Sequence, residues 1–475
     1  MSFEQHLRAP HARGPVPDGA HVGSAGGHVC GDVVRIAVVP GDGRVAEITF
    51  DADGCGATLA ATSACALLAD GAPLLEAARV GPEEIASELG GLSPGKHHAA
   101  DLAADALHRA LSKAWGDGSA RVEPARGRVL VAMSGGVDSA AAALLARRAG
   151  HEVVAVTLKL WADQGVDGSR SCCSPEAVLG ARALAHSMGF PHITLDLQDR
   201  FRESVVDDFI DAHARGRTPN PCVRCNGLVR FDAMLELSRT VGADALATGH
   251  YARIVDDGYG PLLARAADPR KDQTYMLAGL PPEHLARVRF PLGELTKPEV
   301  RELAREAGLP VAAKPESQDL CFLAGTSRER FLARHGQIRE RRGEVVDTAG
   351  RVLGTHEGHT RFTVGQRKGL GVAAGEPLYV KSTDAATNRV VVATRSGLAT
   401  RRVEVEPATL YRDAAMVDRV KLRYRSNAVA CRVAQDGAAV VVELADAVHG
   451  VAPGQTACLM DGERVVGFGT IAAAS

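Results

Sequence analysis

Two sets of residues in this chain have types and spacings that could do chemistry. The first is Ser134-Gly135-Gly136-Val137-Asp138-Ser139, which follows the apolar run Arg128 to Met133 and precedes AAAALLARRAG, a helical stretch. A buried strand feeding a glycine turn that opens a helix is a device for holding phosphate. The glycines let the backbone approach closely, and the helix start offers unpaired N–H groups and the positive end of a dipole. No GKS or GKT follows the glycines, and the spacing is not GxGxxG, so two common phosphate motifs are excluded. The second set is thiol chemistry. Cys222 and Cys225 form a CxxC after Thr218-Pro219-Asn220-Pro221, and Cys321 lies far along the chain in Ser317-Gln318-Asp319-Leu320-Cys321-Phe322. Pro-Asn-Pro predicts a rigid, extended loop. Arg215, Arg217 and Arg224 flank the CxxC, and neighbouring cations depress a thiol pKa and favour thiolate.

These residues need a scaffold, and composition bounds it. The 475 residues suggest roughly three or four domains, and 45% apolar content is enough for several cores. A net charge of −2 creates no global field toward nucleic acid, so any such binding must use local patches. No stretch reaches the ~18 apolar residues of a membrane span. The N-terminus, MSFEQHLRAPHARG, has no apolar signal core, which reads as cytoplasmic. The ten cysteines then belong to a reducing compartment, as reactive, metal-binding or core residues rather than structural disulfides.

The expected architecture is multidomain. Residues 1–27, rich in Gly, Pro and His, read as a flexible arm. Residues 28–115 read as a small α+β unit, and 116–127 as a linker by composition. Residues 128–330 alternate strands and helices, the pattern of an α/β parallel sheet with ligands at the carboxyl ends of its strands. The remainder is short strands with turn signals: a small β domain over 331–390, then a β-barrel over 391–475. Cys65, Cys431 and Cys458 sit in helix or strand patterns and read as core. Cys172 and Cys173 are adjacent and take no role.

The string SGGVDS resembles the pyrophosphatase loop of enzymes that cleave ATP between its α and β phosphates. With TPNPCVRCN, ATGHYAR, KDQTYML, SQDLCF and TVGQRKGLG it makes residues 128–475 similar to tRNA-specific 2-thiouridylases. The resemblance implies an enzyme that replaces O2 of a wobble uridine with sulfur, after that oxygen is adenylated to make a good leaving group. It places ATP on Ala132, Met133, Ser134, Gly135, Gly136, Val137, Asp138 and Ser139, with Leu158 and Gly249 beside the adenosine. Asp138 could help hold magnesium on the pyrophosphate. Cys321 would carry a persulfide, Cys225 would be the partner nucleophile, and the pair could finish as a disulfide. Asn220, Pro221 and Cys222 would line the base. Lys271, Asp272, Gln273, Arg423 and Tyr424 would contact tRNA, with basic clusters Arg361–Lys368 and Lys421–Arg425 on its phosphates. The implied partners are tRNA and a sulfur donor, a cysteine desulfurase or relay protein.

Residues 28–115 resemble cluster-assembly scaffolds of the IscU/NifU type. The family cysteines match Cys30 and Cys55, its aspartate Asp32, and its Lys-x-His Lys96 and His98; Ala99 stands where a third cysteine is expected. Two thiolates, an imidazole and a carboxylate could still hold zinc or a labile cluster, or the unit could serve for docking alone. A second departure is Cys222, where many relatives have aspartate. Cys222, Cys225 and Cys321 form the ligand set of a 4Fe–4S cluster with one open iron, an alternative to persulfide chemistry. Two other functions stay open at this point: an iron–sulfur scaffold or carrier with an accessory ATP domain, and another pyrophosphatase-loop ligase.

Overall fold

The structure, a computed structural model, describes residues 1–27, 31–163, 174–314, 320–338, 341–437 and 439–475. Cys30, Cys172, Cys173 and the Ser317-Gln318-Asp319 part of the third thiol motif lie outside the described residues.

Residues 1–27 are not a loose arm. Helix Phe3–Arg8 opens on a capping box: Ser2 Oγ accepts from Gln5 N, and the Gln5 side chain accepts from Ser2 N. His6 is fully buried, its Nδ1 2.9 Å from Ser63 Oγ. Strand β1 (His21–Gly26) pairs antiparallel with β2 (Val33–Gly41), which pairs with β3 (Arg44–Asp53). Glycine misleads here. A Cβ on Gly23 would lie 2.0 Å from the Ala106 carbonyl oxygen, so this glycine lets the strand touch a helix rather than conferring flexibility. The helices Gly56–Ala69 and His97–Gly116 cover this sheet with buried alanines.

The linker is also fixed. Ala120 is fully buried, Val122 N donates to Thr240 O at 2.9 Å, and Ala125 N donates to Gly242 O at 3.0 Å. A Cβ on Gly242 would stand 2.5 Å from Glu123 O.

The central sheet contains β4 (Arg128–Ala132), β5 (Glu152–Lys159), β6 (His192–Asp196) and β7 (Ala245–Thr248). After the hairpin β8 (Arg253–Asp256) and β9 (Pro261–Ala264) it gains a short strand, β10 (Val288–Arg289). Its order is β10-β7-β4-β5-β6, all parallel. Val129, Val131, Val153 and Ala155 face one side, under helices Val137–Arg148 and Pro175–Ser187. Leu130, Val154, Val156, Ile193 and Leu195 face the other, and they share one continuous core with the N-terminal unit. That unit is therefore a covering layer of the nucleotide-binding sheet. The Arg182–Asp105 ion pair at 3.1 Å and the His192 N to Ala78 O bond at 3.0 Å seal the joint.

The joint has further contacts. Ser112 Oγ donates to Thr194 O in the middle of β6. One turn earlier the His108 ring lies 5.3 Å from that of His186, and His186 reaches His192 at the start of β6.

The C-terminal third holds a four-stranded sheet, β11 (Gly343–Val346), β12 (Val352–His356), β13 (Tyr379–Asp384) and β14 (Arg389–Ala393), ordered β12-β11-β14-β13. The barrel strands are β15 (Ala399–Leu410), β16 (Arg419–Lys421), β17 (Val429–Asp436), β18 (Ala439–His449), β19 (Thr456–Asp461) and β20 (Arg464–Ala474). Their order is β15-β18-β17-β16-β19-β20, closed by β15 pairing β20. The barrel is larger than residues 391–475: β9 and β8 extend the sheet from β20. The nearly buried Arg412–Asp257 pair, two bonds at 2.8 and 2.9 Å, locks that hairpin in place.

Candidate functional site: a nucleotide cleft beside a thiol core

The glycine turn forms as the local pattern predicts. Met133 N continues the ladder to Val156 O, then Ser134 N donates to Ser139 Oγ at 3.1 Å, and that hydroxyl donates to Gly136 O at 3.0 Å. Gly135 takes φ +69°, a left-handed turn. Gly136 is the N-cap of helix Val137–Arg148, and no side chain caps that helix. Its first N–H groups are therefore open to an anion. Gly249, at the end of β7, must be glycine on packing grounds, since a Cβ there would lie 2.7 Å from the Asp138 backbone. Leu158, half-buried near the end of β5, packs against two cores, and Ala132 ends β4.

Asp138 is already matched. Lys297 Nζ lies 2.7 and 2.8 Å from its two carboxylate oxygens, and Tyr251 OH donates at 2.8 Å. The carboxylate expected to hold magnesium is thus paired with an ammonium of the chain itself. Lys297 carries no local motif and was invisible to sequence reading. Tyr251 lies in the ATGHYAR string but was not singled out.

A cleft of about 1410 Å³ opens on the loop. Its lining includes Ser134, Asp138 and Ser139, then Lys271, Asp272 and Gln273, and Lys421, Tyr424 and Arg425 of the barrel. Part of the predicted nucleotide set and part of the predicted tRNA set thus share one space. Asp272 is structural as well: it accepts from Thr274 Oγ1 at 2.9 Å and pairs with Lys421 at 3.3 Å. Gln273 accepts from Tyr251 N at 2.9 Å. Arg423 does not line the cleft. Its guanidinium donates to Gly450 O and, at 3.5 Å, to Val364 O, bracing the four-stranded sheet domain against the barrel.

The CxxC does not lie on an extended loop. Asn220 caps, and Pro221 begins, a short helix, Pro221–Cys225; asparagine before proline is a helix-start signal. Thr218 N donates to Pro453 O at 2.9 Å and Gln455 Nε2 to Pro219 O at 3.1 Å, so the barrel holds the approach to this helix. The spacing i, i+3 puts Cys222 and Cys225 on one helix face. Cys225 is buried among Trp161, Phe201, Phe209 and Phe322, and half-buried Cys321 packs against the same cluster. The two sequence-distant cysteines therefore belong to one apolar cluster.

The expected arginine effect on the thiols does not hold for Cys222. Burial pushes its thiol up to about 11, and only Arg230 opposes this. Arg224 is turned to Asp208 and Arg215 to Asp211, and Arg217 is exposed. Cys431 and Cys458 are core residues whose thiols burial pushes up to about 12, and buried Cys65 is raised further.

In the N-terminal unit the ligand atoms of Asp32, Cys55 and His98 lie within 4.8 Å of one another. Thr58 Oγ1 donates to Asp32, and His98 Nε2 lies 3.7 Å from that carboxylate. The Thr58 contact is the main cause that holds both the Asp32 carboxyl and the Cys55 thiol below their usual ranges. Lys96 Nζ stands 3.7 Å from Cys55 Sγ. Ionised thiolate, carboxylate and imidazole fit zinc. Ala99, at the place of the missing cysteine, is fully buried.

A parallel sheet with an anion-binding turn and a cleft at its carboxyl edge defines an ATP-pyrophosphatase-type nucleotide-binding enzyme with a scaffold-like unit built onto it. Family models match in the same order. Residues 3–116 match the NifU-like N terminal domain and 127–325 the tRNA methyl transferase HUP domain. Residues 329–394 match the tRNA methyl transferase PRC-barrel domain and 399–471 the Aminomethyltransferase beta-barrel domain. The chain is 46% identical to the "Bifunctional protein NifU/MnmA" of Rubrobacter xylanophilus, over 98% of this chain and 97% of that one. It is 44% identical to the "tRNA-specific 2-thiouridylase MnmA" of Geobacter metallireducens, over 74% of this chain and 98% of that one. The chain belongs to the NifU/MnmA family of two-part proteins.

Proposed function

We propose that this protein uses ATP to place sulfur at position 2 of the wobble uridine of tRNA. The observation that carries the reading is the single cleft that joins the phosphate turn to Lys271, Gln273 and Tyr424. The names of the relatives and the shared core of Cys225 and Cys321 support it. The turn Ala132–Ser139 holds the phosphates, and Leu158 and Gly249 border the adenosine. Uridine O2 attacks the α phosphorus, forming an O–P bond, and pyrophosphate leaves. The terminal sulfur of a Cys321 persulfide then adds to C2, and AMP departs with the oxygen. Cys225 thiolate attacks the Cys321 sulfur, which frees the thiocarbonyl and leaves a Cys225–Cys321 disulfide. An external dithiol reduces that disulfide, and a cysteine desulfurase or relay protein restores the persulfide. Asn220 and Pro221 border the base, which leaves the anticodon stack at a cost of a few kcal/mol.

Cys225 and Cys321 belong to one apolar cluster, as persulfide exchange between them needs, whereas Cys222 is not a member of it. The persulfide route is therefore our reading. Two assays test it together: pyrophosphate release with and without tRNA, and mass spectrometry of tRNA nucleosides after incubation with a desulfurase and cysteine. Pyrophosphate release that ignores tRNA would favour a different ligase. No release at all would favour a scaffold or carrier. Iron and sulfide in the anaerobically purified protein, lost in Cys222→Ser along with activity, would replace persulfide by cluster chemistry.

A further inference from the structure

Lysines come to the nucleotide cleft and its border from separate parts of the chain, and two of them are matched to acids. Lys297 pairs with Asp138, and Lys421 with Asp272. Lys314 differs. It lines the cleft beside Ser134, Gly136 and Ser139, and its Nζ donates to the Gly135 carbonyl at 2.9 Å. That partner is a neutral oxygen, and among the described residues Lys314 forms no ion pair. A full positive charge therefore stands at the turn, next to helix N–H groups that supply only partial charge. The residue is exposed, so its ammonium can leave the carbonyl without disturbing a core.

We propose that Lys314 is a catalytic residue that binds the β and γ phosphates of ATP and neutralises pyrophosphate as it leaves. This deepens the adenylation reading and rests on it. When uridine O2 bonds to the α phosphorus, the bond to the bridging oxygen breaks and its electron pair stays on pyrophosphate. Negative charge grows on the side where Lys314 stands. A charge-assisted bond from Nζ to a phosphate oxygen is stronger than its present bond to a carbonyl, and strongest once the leaving group carries its full charge. The contact consequently lowers the barrier as well as aiding binding. AMP, which lacks the β and γ phosphates, gains nothing from it.

The test uses the full chain as wild type, Lys314→Ala and Lys314→Arg, with ATP and AMP affinities from calorimetry and tRNA-dependent pyrophosphate release. Lys314→Ala is expected to weaken ATP by about 10-fold and slow release by about 10²-fold, the scale of one lost transition-state donor. AMP affinity should not change, and Lys314→Arg should recover part of both losses. Lys314→Ala with wild-type ATP affinity and release would overturn the proposal. So would equal loss of ATP and AMP, the mark of a residue that only braces the turn. Absence of tRNA-dependent release in wild type would instead reject the adenylation reading, and the ATP-against-AMP comparison would still decide whether Lys314 is a phosphate ligand.

Discussion

Lys297 Nζ lies 2.7 Å from Asp138 Oδ1 and 2.8 Å from Oδ2, joining helix Lys297–Glu306 to the first turn of the phosphate-loop helix. The lysine side chain is 9% exposed and the aspartate 32%. The pair ties down the helix end that faces the nucleotide cleft.

Removing one partner should therefore loosen the turn. Lys297→Met is expected to cost about 2 kcal/mol, below the roughly 3–5 kcal/mol of a fully buried pair because water screens the aspartate. Urea unfolding measures that loss. ATP affinity should fall in parallel, and Asp138→Asn in the Lys297→Met background should restore part of the stability.

Cys225→Ser and Cys321→Ser should each abolish 2-thiouridine while leaving tRNA-dependent pyrophosphate release within about 3-fold, since adenylation precedes sulfur transfer. Nucleoside mass spectrometry and a pyrophosphate assay on the same samples check both halves. Loss of release in both variants would show instead that the thiol core shapes the nucleotide cleft.

Thiol reactivity should separate by site. Cys222 is raised to about 11 by burial, whereas Cys55 is lowered by its bond with Thr58. At pH 8 iodoacetamide should label Cys55 well before Cys222, as read by peptide mass spectrometry. The raised Cys222 value also has a sign for stability. Its contribution is complete below the unfolded thiol value of about 8.5, and is lost as pH climbs from there through about 11. Cys222→Ala should therefore flatten the alkaline limb of the stability profile.

The joint between the N-terminal unit and the sheet has its own test. Asp105→Ala leaves the Arg182 guanidinium buried without its carboxylate and should cost about 3 kcal/mol. Limited proteolysis within 117–127 should quicken as that segment is released. By contrast Cys55→Ser, at a position that does not line the nucleotide cleft, should leave ATP binding and pyrophosphate release unchanged.

Local patterns were enough for the phosphate turn, the α/β alternation and the barrel strands, because a left-handed glycine or a period of two is a property of neighbouring residues. The thiol motifs were legible for the same reason. Reading the N-terminal glycines as looseness failed, since Gly23 is there for a helix more than eighty positions away. Arg423 shows the same limit: its type suggested a phosphate contact, yet its bonds run to two carbonyls inside the protein.

Sequence by itself determined where the phosphate turn and the thiol motifs lie, and the order of the units that bear them. Only the tertiary structure decided that Cys225 and Cys321 share a core, that Lys297 takes Asp138 and Lys314 stands at the turn, and that the scaffold-like unit covers the sheet. Burial and charge pairing depend on neighbours brought together by folding. The 159 positions between Lys297 and Asp138 leave no trace of that contact in the chain itself.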